Sequence, residues 1–324
     1  MAGQIWATNS LGGFFYSLNL SDELREALQP MAKFRQFCDV GDAAGKHKGQ
    51  TWTWDVVSDV STAGGTLVET NTMPETQFTI TQGTLTVTEY GNSVPYSGKL
   101  EDLSKFTVRK PVMQALRNDA GKVLDKGAYA QFYLTPLRVV PTGGTSTSAV
   151  TLTTNGTATL SNVVAFNNQH AKAIVDTMKE RNIPAYTGDD YMAIAWPSTL
   201  RTFKNNLESI HQYTESGIKL IFNGEIGRYE NVRYVEQTNV SKGITSTGSS
   251  GTAWGGGVSD WIFFFGEDTV MEGVVDPVEM RAKIPTDYGR SKGVAWYALE
   301  GFGLAHTTAM GATEGRIVMW DSAS

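Results

Sequence analysis

Residues 51–98 read TWTWDVVSDVSTAGGTLVETNTMPETQFTITQGTLTVTEYGNSVPYSG, and this stretch decides the fold. Bulky apolar residues such as Trp52 and Trp54 alternate with polar ones near both of its ends, which predicts two β-strands. Gly64-Gly65 and Met73-Pro74 mark a tip between these strands. An isolated two-stranded ribbon is marginally stable in water, so we expect it to be held by a neighbour.

The apolar parity changes within the second predicted strand. Phe78 and Ile80 alternate with threonines and occupy even positions, whereas Leu85 and Val87 occupy odd positions. The sequence therefore predicts a bulge or bend near Gly83.

Charge separates this ribbon from the segment that follows it. Residues 51–98 contain five carboxylates and no Lys or Arg. Residues 99–138 contain eight basic residues and four acidic ones. We therefore predict that the ribbon of one subunit contacts the basic segment of another copy, with the two tryptophans as anchors. The residues expected at these contacts are Trp52, Trp54, Asp55, Asp59, Glu69, Glu75, Arg109, Lys110, Arg117 and Lys122.

Length and composition limit the possible classes of protein. The 324 residues are 40% hydrophobic, which is enough for a substantial core and for two domains. A net charge of −6 and a pI near 5.3 argue against a protein that mainly grips DNA phosphates, although weak contact with DNA stays open. The single cysteine, Cys38, excludes an intrachain disulfide and is expected to be a small buried hydrophobe in a reducing compartment.

No targeting or membrane segment is predicted. The first residues lack the basic region and apolar run of a signal peptide. The longest strongly apolar run, residues 261–265, is far shorter than the roughly 20 residues that span a bilayer. We expect a soluble protein that is made in the cytosol and has no membrane partner.

Several further elements follow from local patterns. Residues 109–134 have the apolar spacing of a long helix. Asn155-Gly156 predicts a hairpin over 151–160, and Ser161 is a candidate N-cap for a second helix that buries His170. Residues 221–235 read as a strand pair, and 241–259 as a loop rich in Gly, Ser and Thr.

The sequence shows no constellation for catalysis or metal binding. The four histidines lie far apart, and the only cysteine has no nearby thiol partner. The glycine-rich loops lack the residues of a phosphate-binding loop or a dinucleotide fingerprint, and no nucleophile elbow is present. We predict no catalytic residues, no cofactor, no metal and no enzymatic activity.

The order of several motifs resembles a known family. The motifs are Gly49-Gln50-Thr51-Trp52, Met73-Pro74, Glu89-Tyr90-Gly91-Asn92, the stretch IFNGEIGRYENVR at 221–233, Phe265-Gly266-Glu267-Asp268 and the stretch YGRSKGVAWY at 288–297. Taken together they resemble the major capsid protein of tailed bacteriophages with the Hong Kong 97-type fold, in its podovirus-associated branch.

The resemblance implies an α+β chain divided into four parts. These are an N-terminal arm (1–50), an extended loop formed by the β-ribbon (51–98), a peripheral domain with a long spine helix (99–160 and 267–324), and an axial domain (161–266). The extended loop reaches over an adjacent subunit in this family. Because residues 51–98 hold no lysine, the loop cannot supply the lysine of an isopeptide crosslink, and a noncovalent shell is expected.

The family also implies a function and partners. Hexamers and pentamers of one chain would form the icosahedral head that encloses double-stranded phage DNA, assembled in the cytoplasm of the bacterial host. The implied partners are a separate scaffolding protein, a portal protein, packaged DNA held weakly on the inner face, and a cement protein. Two alternatives stay open: a bacterial nanocompartment shell of the same fold, and a β-rich phage decoration or adhesion module.

Overall fold

The computed structural model describes residues 28–41, 47, 49–58, 60, 64–70, 72–104, 107–156, 164–211, 228–240, 259–285, 287–307 and 314–323. Helices and strands are both abundant, which confirms the predicted α+β class. The helices are α1 (Gly98–Leu103), α2 (Arg109–Tyr133), α3 (Asn168–Glu180) and α4 (Arg201–His211). The strands are β1 (Asp39–Gly41), β2 (Thr51–Val57), β3 (Ile80–Thr86), β4 (Thr88–Ser97), β5 (Leu137–Pro141), β6 (Val150–Thr153), β7 (Tyr191–Ala195), β8 (Arg228–Tyr229), β9 (Val232–Glu236), β10 (Ser259–Phe265), β11 (Val270–Ala282), β12 (Ser291–Leu304) and β13 (Ile317–Ala323).

The strands form three sheets within the described residues. β2 and β3 pair as an antiparallel ribbon, as the alternation in the sequence predicts. A four-stranded sheet has the order β1-β11-β12-β4, and a seven-stranded sheet has the order β6-β5-β13-β10-β7-β9-β8. Since β4 follows β3 after the single residue Val87, the base of the ribbon is attached directly to the four-stranded sheet.

The seven-stranded sheet lies between two hydrophobic layers. Ile262 and Phe264 of β10 pack toward α3 and α4, and Phe263 and Phe265 pack toward the second half of α2. Both faces of β10 are therefore covered, which explains why its sequence WIFFF is continuously apolar instead of alternating.

Helix α2 packs on both large sheets. Its buried residues recur at every fourth position, so the buried stripe winds around the helix by roughly 40° per step instead of staying on one face. Val112 and Leu116 contact the four-stranded sheet through Trp296, whereas Leu124 and Phe132 join the core of the seven-stranded sheet. The long helix predicted over 109–134 is thus present and links the two sheets.

The expected bulge near Gly83 is absent. The β2–β3 register runs without a shift from Thr51↔Thr86 to Val57↔Ile80. The parity change has a simpler cause, because Leu85 and Val87 are buried whereas Phe78 and Ile80 are exposed. Gly83 faces Trp54, whose indole atoms occupy the space that a Cβ would need.

The predicted N-cap of the second helix is corrected, and the predicted hairpin at 151–160 is described only in its first half. β6 pairs with β5, from Arg138↔Thr153 to Pro141↔Val150, while residues 157–160, which follow Asn155-Gly156, lie outside the described residues. The second helix is capped by Asn167, whose side chain accepts hydrogen bonds from the backbone of Gln169 and His170. Ser161, the predicted cap, lies outside the described residues, as do residues 221–227 of the predicted strand pair and nearly all of the loop at 241–259. The rest of the predicted strand pair is present, because β8 and β9 pair antiparallel, with Arg228↔Arg233 and Tyr229↔Val232.

The structure agrees with the prediction of a buried His170 but not with that of a buried Cys38. His170 is fully buried, stacks on Trp320 at 4.7 Å between ring centroids and lies 3.2 Å from the carbonyl oxygen of Gly144, as expected of a core residue. Cys38 is only half-buried, and its thiol contacts the carbonyl oxygen of Phe34 at 3.8 Å. Cys38 therefore lies at the edge of the core and not within it.

The predicted division into four domains stays a prediction. The seven-stranded sheet combines β5, β6 and β13, which come from the segments assigned to the peripheral domain, with β7, β8, β9 and β10 from 161–266. This sheet therefore crosses the boundaries at 160/161 and 266/267.

Candidate intersubunit surfaces

The base of the extended loop is fixed to its own chain by tryptophan. The indole Nε1 of Trp54 donates a hydrogen bond to the carbonyl oxygen of Ala305 at 2.8 Å. The Trp52 ring lies against Trp54, with 5.5 Å between ring centroids, and covers Gly41. Both side chains are half-buried within one chain. The base of the ribbon is thus held by its own chain, while the role of the two tryptophans between subunits stays a prediction.

The distal part of the loop has a different environment. All described residues between 64 and 80 are exposed, and several of them are large and apolar. The apolar side chains of this part of the ribbon that are at least 40% exposed are Val57, Val60, Leu67, Val68, Met73, Phe78 and Ile80. Clustered apolar exposure of this kind marks a surface that is covered in an assembly. We call residues 57–80 the distal loop.

The predicted acidic contacts lie on or beside the distal loop. Glu69 and Glu75 are exposed. Asp55 accepts a hydrogen bond at 2.8 Å from the side-chain amide of Gln82, its cross-strand partner. Asp59 lies outside the described residues.

The predicted basic contacts lie along α2. Arg109, Lys110 and Arg117 are exposed, and Lys122 is half-buried. Within the described part of the chain none of these four side chains forms an ion pair, and none is joined to an acidic residue of the loop. Among the described residues, therefore, no ion pair neutralises these charges.

A third surface element was missed by the sequence analysis. Residues 31–41, here called the strap, lie across both large sheets. The carbonyl oxygen of Met31 accepts hydrogen bonds from the backbone N–H groups of Thr238 and Asn239 near β9, and its N–H donates to the Thr238 hydroxyl. β1 pairs in parallel with the start of β11. Phe34 packs against Phe263, with 5.7 Å between ring centroids. Phe34 and Phe37, the aromatic residues of the strap, are thus buried in their own chain.

Buried charge accompanies the strap. The Arg35 guanidinium bonds Glu272 at 2.6 Å and Glu300 at 3.1 Å, and both glutamates are almost fully buried. The sequence indicates these buried carboxylates only by a single Glu in each of two otherwise largely apolar stretches, VMEGVV and YALEGF. A lone buried carboxylate requires a partner, but the sequence does not show that the partner lies in the arm.

A second polar cluster lies at the end of β12. His306 Nε2 is 3.0 Å from Asp268 Oδ2, and Arg316 Nη1 is 3.3 Å from the same oxygen. The hydrogen bond from His306 and the positive charge of Arg316 lower the pKa of Asp268, although partial burial opposes them. This cluster joins the turn after β10 to the segment before β13.

The described residues contain neither a candidate metal site nor a helix that could span a membrane. No group of three or more His, Cys, Asp or Glu side chains there is placed to hold a metal ion. No helix in the described part combines the length and the apolar character needed to cross a membrane.

Comparisons with known proteins define the class. The capsid of cyanophage P-SCSP1u is similar, with a TM-score of 0.66 at 14% identity, covering 95% of this chain and 94% of that one. The capsid of cyanophage Pam1 gives a TM-score of 0.64 at 15% identity and covers 100% and 99% of the two chains. The capsid of Helicobacter pylori bacteriophage KHP30 gives 0.66 at 12% identity over 95% of each chain. No curated protein matches.

The fold is therefore that of a capsid protein, and the predicted Hong Kong 97-type architecture is confirmed at the level of the fold. The phage capsid family matches residues 12–187, more than half of the chain, and the chain belongs to that family. It is a structural protein of the virion, a major capsid protein that forms the icosahedral head of a phage.

Proposed function

We propose that this chain assembles as hexamers and pentamers in which the distal loop of each subunit lies on an adjacent subunit. The observation that carries the proposal is the exposure of the distal loop. Its apolar side chains are solvated in the single chain, although the base of the same ribbon is anchored and partly buried. Contact with a second copy would remove that apolar surface from water, which favours association.

The distribution of charge favours one arrangement of this contact. The loop region 51–98 carries only acidic charges, and α2 displays Arg109, Lys110 and Arg117 without ion-pair partners among the described residues. Opposite charges across an interface favour the correct register and accelerate association, and their effect weakens as salt is added. We propose that the acidic loop lies along the basic side of α2 in the neighbouring subunit.

The shell is held together without covalent bonds through the extended loop. Residues 51–98 contain no lysine, so the loop has no amine for an isopeptide bond. Packing, charge and backbone pairing then stabilise the shell, and this stabilisation is distributed over many interfaces.

The proposed partners are those of a head that is filled with DNA. They are a separate scaffolding protein during assembly, a portal protein, a cement protein, and double-stranded DNA bound weakly by inner basic residues. The net charge of −6 supports weak DNA contact, because strong phosphate binding needs a large excess of Lys and Arg. We place assembly in the cytoplasm of the bacterial host and assign the chain no enzymatic role.

Electron microscopy of the expressed chain tests this proposal. Negative-stain images of the purified protein should show closed shells or capsomers with five- and six-fold symmetry. A variant that lacks most of the distal loop, with residues 61–77 replaced by Gly-Ser-Gly, should stay folded by circular dichroism and form no shells. If the shortened variant assembles as the full chain does, the distal loop does not make the contact that we propose.

A further inference from the structure

The end of the strap and the base of the ribbon meet at Gly41 and Trp52. The Trp52 indole lies on Gly41, in the space that a Cβ at this position would need. Gly41 is the last residue of β1, where it pairs with Gly273 of β11. Trp52 pairs with Leu85 across the ribbon and lies beside Trp54. The strap therefore forms part of the surface on which the base of the ribbon rests.

A series of hydrogen bonds makes a second connection between the strap and the ribbon. The Thr269 hydroxyl donates to the carbonyl oxygen of Phe37 at 3.4 Å. The backbone N–H of Ala305 donates to the carbonyl oxygen of Thr269 at 2.9 Å. The carbonyl oxygen of Ala305 in turn accepts the bond from Trp54 Nε1 at 2.8 Å. The segment that holds Trp54 is thus bonded, through Thr269, to the strap.

Arg35 holds the strap on the strands that carry the ribbon. Its Nη2 lies 2.6 Å from Glu272 Oε1 and 3.1 Å from Glu300 Oε2, and its Nε donates to the same Glu272 oxygen at 3.0 Å. Within the described residues, no other Lys or Arg is paired with either carboxylate. Glu300 lies opposite Thr88, the first residue of β4. Because β4 follows the ribbon strand β3 after Val87, Arg35 is bonded one strand away from the point where the ribbon leaves the sheet.

The attachment of the strap to the four-stranded sheet depends mainly on Arg35. β1 is only three residues long, and Asp39 and Val40 are exposed. Phe34 and Phe37 pack on the other large sheet, through the aromatic residues of β10. Removing one partner of a buried ion pair is strongly unfavourable, because it leaves the other charge uncompensated. Loss of Arg35 should therefore detach the end of the strap from the sheet that carries the ribbon.

We propose that the strap is the seat of the extended loop, and that Arg35 positions the loop through it. While Arg35 is bonded, Gly41 supports Trp52 and the base of the ribbon has one direction. When the strap leaves the four-stranded sheet, Trp52 loses this support. The ribbon then stays paired but turns about its attachment to β4, and the distal loop moves with it because the β2–β3 register has no irregularity.

This inference concerns the single chain, so it does not depend on which surface of a neighbour the distal loop contacts. A molecule that draws the arm away from the sheets would change the position of the distal loop without touching it. The strap would then couple the state of the arm to the direction in which the loop is presented.

Hydrogen exchange of the full-length, unassembled chain tests this coupling. Two seat variants disturb it at different points: Arg35→Gln removes the cation, and Gly41→Ala places a methyl group where the Trp52 ring lies. Gly41→Ala leaves the buried charges intact, so it keeps the test valid if Arg35→Gln does not fold. Gln36→Ala, at an exposed position of the strap, is the matched control. Ile174→Ala, at a fully buried position of α3, controls for a general loss of stability.

In the seat variants, the peptides spanning 51–57 and 80–86 should exchange about tenfold or more faster than in the wild type, whereas α3 at 168–180 should keep its rate. Gln36→Ala should match the wild type. Ile174→Ala should lower the urea midpoint and leave exchange of the ribbon within about twofold of the wild type. Unchanged exchange of the ribbon in a folded seat variant would overturn the proposal. So would an equal rise in Ile174→Ala, because exchange of the ribbon would then follow general stability and not the strap.

Discussion

The indole nitrogen of Trp54 and the carbonyl oxygen of Ala305 are hydrogen-bonded at 2.8 Å although 251 positions separate them in the chain. The bond ties the base of the extended loop to the segment just after β12. It divides the loop into an anchored base and an exposed distal part.

Replacing Trp54 by Phe tests this anchor. The change keeps an aromatic ring but removes the donor, so it should lower the free energy of unfolding by about 1 kcal/mol. Urea unfolding of the unassembled chain, followed by fluorescence, measures the loss. Trp52→Phe is the matched control, because the structure shows no hydrogen bond from the Trp52 indole among the described residues; an equal loss in both variants would contradict the anchor.

Reversing loop charge tests the proposed contact with α2. The double variant Glu69→Lys, Glu75→Lys should assemble more slowly than the wild type, and added salt should slow the wild type while relieving the variant. Light scattering during assembly at several salt concentrations records both effects. Glu180→Lys, Asp189→Lys makes the same change in net charge at exposed positions outside the loop. If the two double variants behave alike, net charge and not the loop contact controls assembly.

Two glycines should respond to alanine in opposite directions. A Cβ at Gly303 would lie 2.7 Å from the Leu85 Cβ and 3.0 Å from the Trp54 ring, so Gly303→Ala should destabilise the chain by about 1–3 kcal/mol. A Cβ at Gly121, inside α2, meets nothing within 4 Å, so Gly121→Ala should stabilise it by roughly 0.5–1 kcal/mol. Urea midpoints of the two variants measure these effects, and shifts of the same sign would refute the packing described for the ribbon base.

The hydrogen-bonded pair of Asp268 and His306 should make the free energy of unfolding depend on pH in the acidic range. Because the pKa of Asp268 is lowered in the folded chain, its contribution is present above the pKa of an unfolded aspartate, near 3.8, and is lost as pH falls through the lowered value. Asp268→Asn should therefore be less stable than the wild type at pH 6, and the difference should shrink toward pH 3. Chemical denaturation at a series of pH values checks this, and a difference that is constant with pH would exclude ionisation as its cause.

The absence of lysine from the loop gives a direct biochemical expectation. Purified particles boiled in SDS should migrate as a single band at the monomer mass of 35.2 kDa. Bands of two or more subunits that persist after boiling and reduction would show a covalent bond and would contradict the noncovalent shell.

Local patterns predicted those elements whose causes are local. The alternation around Trp52 and Trp54 identified the ribbon, and the apolar spacing over 109–134 identified α2. Long-range partners could not be predicted in the same way. The sequence does not show that Ala305 accepts the Trp54 bond, nor that Arg35 meets acids 237 and 265 positions later.

The errors also have physical causes. Ser161 and Asn167 are both residue types that cap helices, and spacing alone does not show that Asn167 is the one used. The bulge at Gly83 was inferred on the assumption that every apolar residue of the strand faces a core. That assumption is wrong for Phe78 and Ile80, because both side chains face solvent in the single chain. Their exposure is also the property that identifies the distal loop as a candidate contact surface.

The exposed distal loop makes the lone subunit and the assembled subunit unequal in solubility. A free chain displays Leu67, Met73 and Phe78 to water, and such a surface promotes precipitation as readily as ordered association. The concentration of unassembled chain in an infected cell therefore has to stay low, or a companion has to cover the loop until a neighbour is available. Yields of recombinant protein should improve when assembly is fast, because the growing shell removes the aggregation-prone free chain from solution.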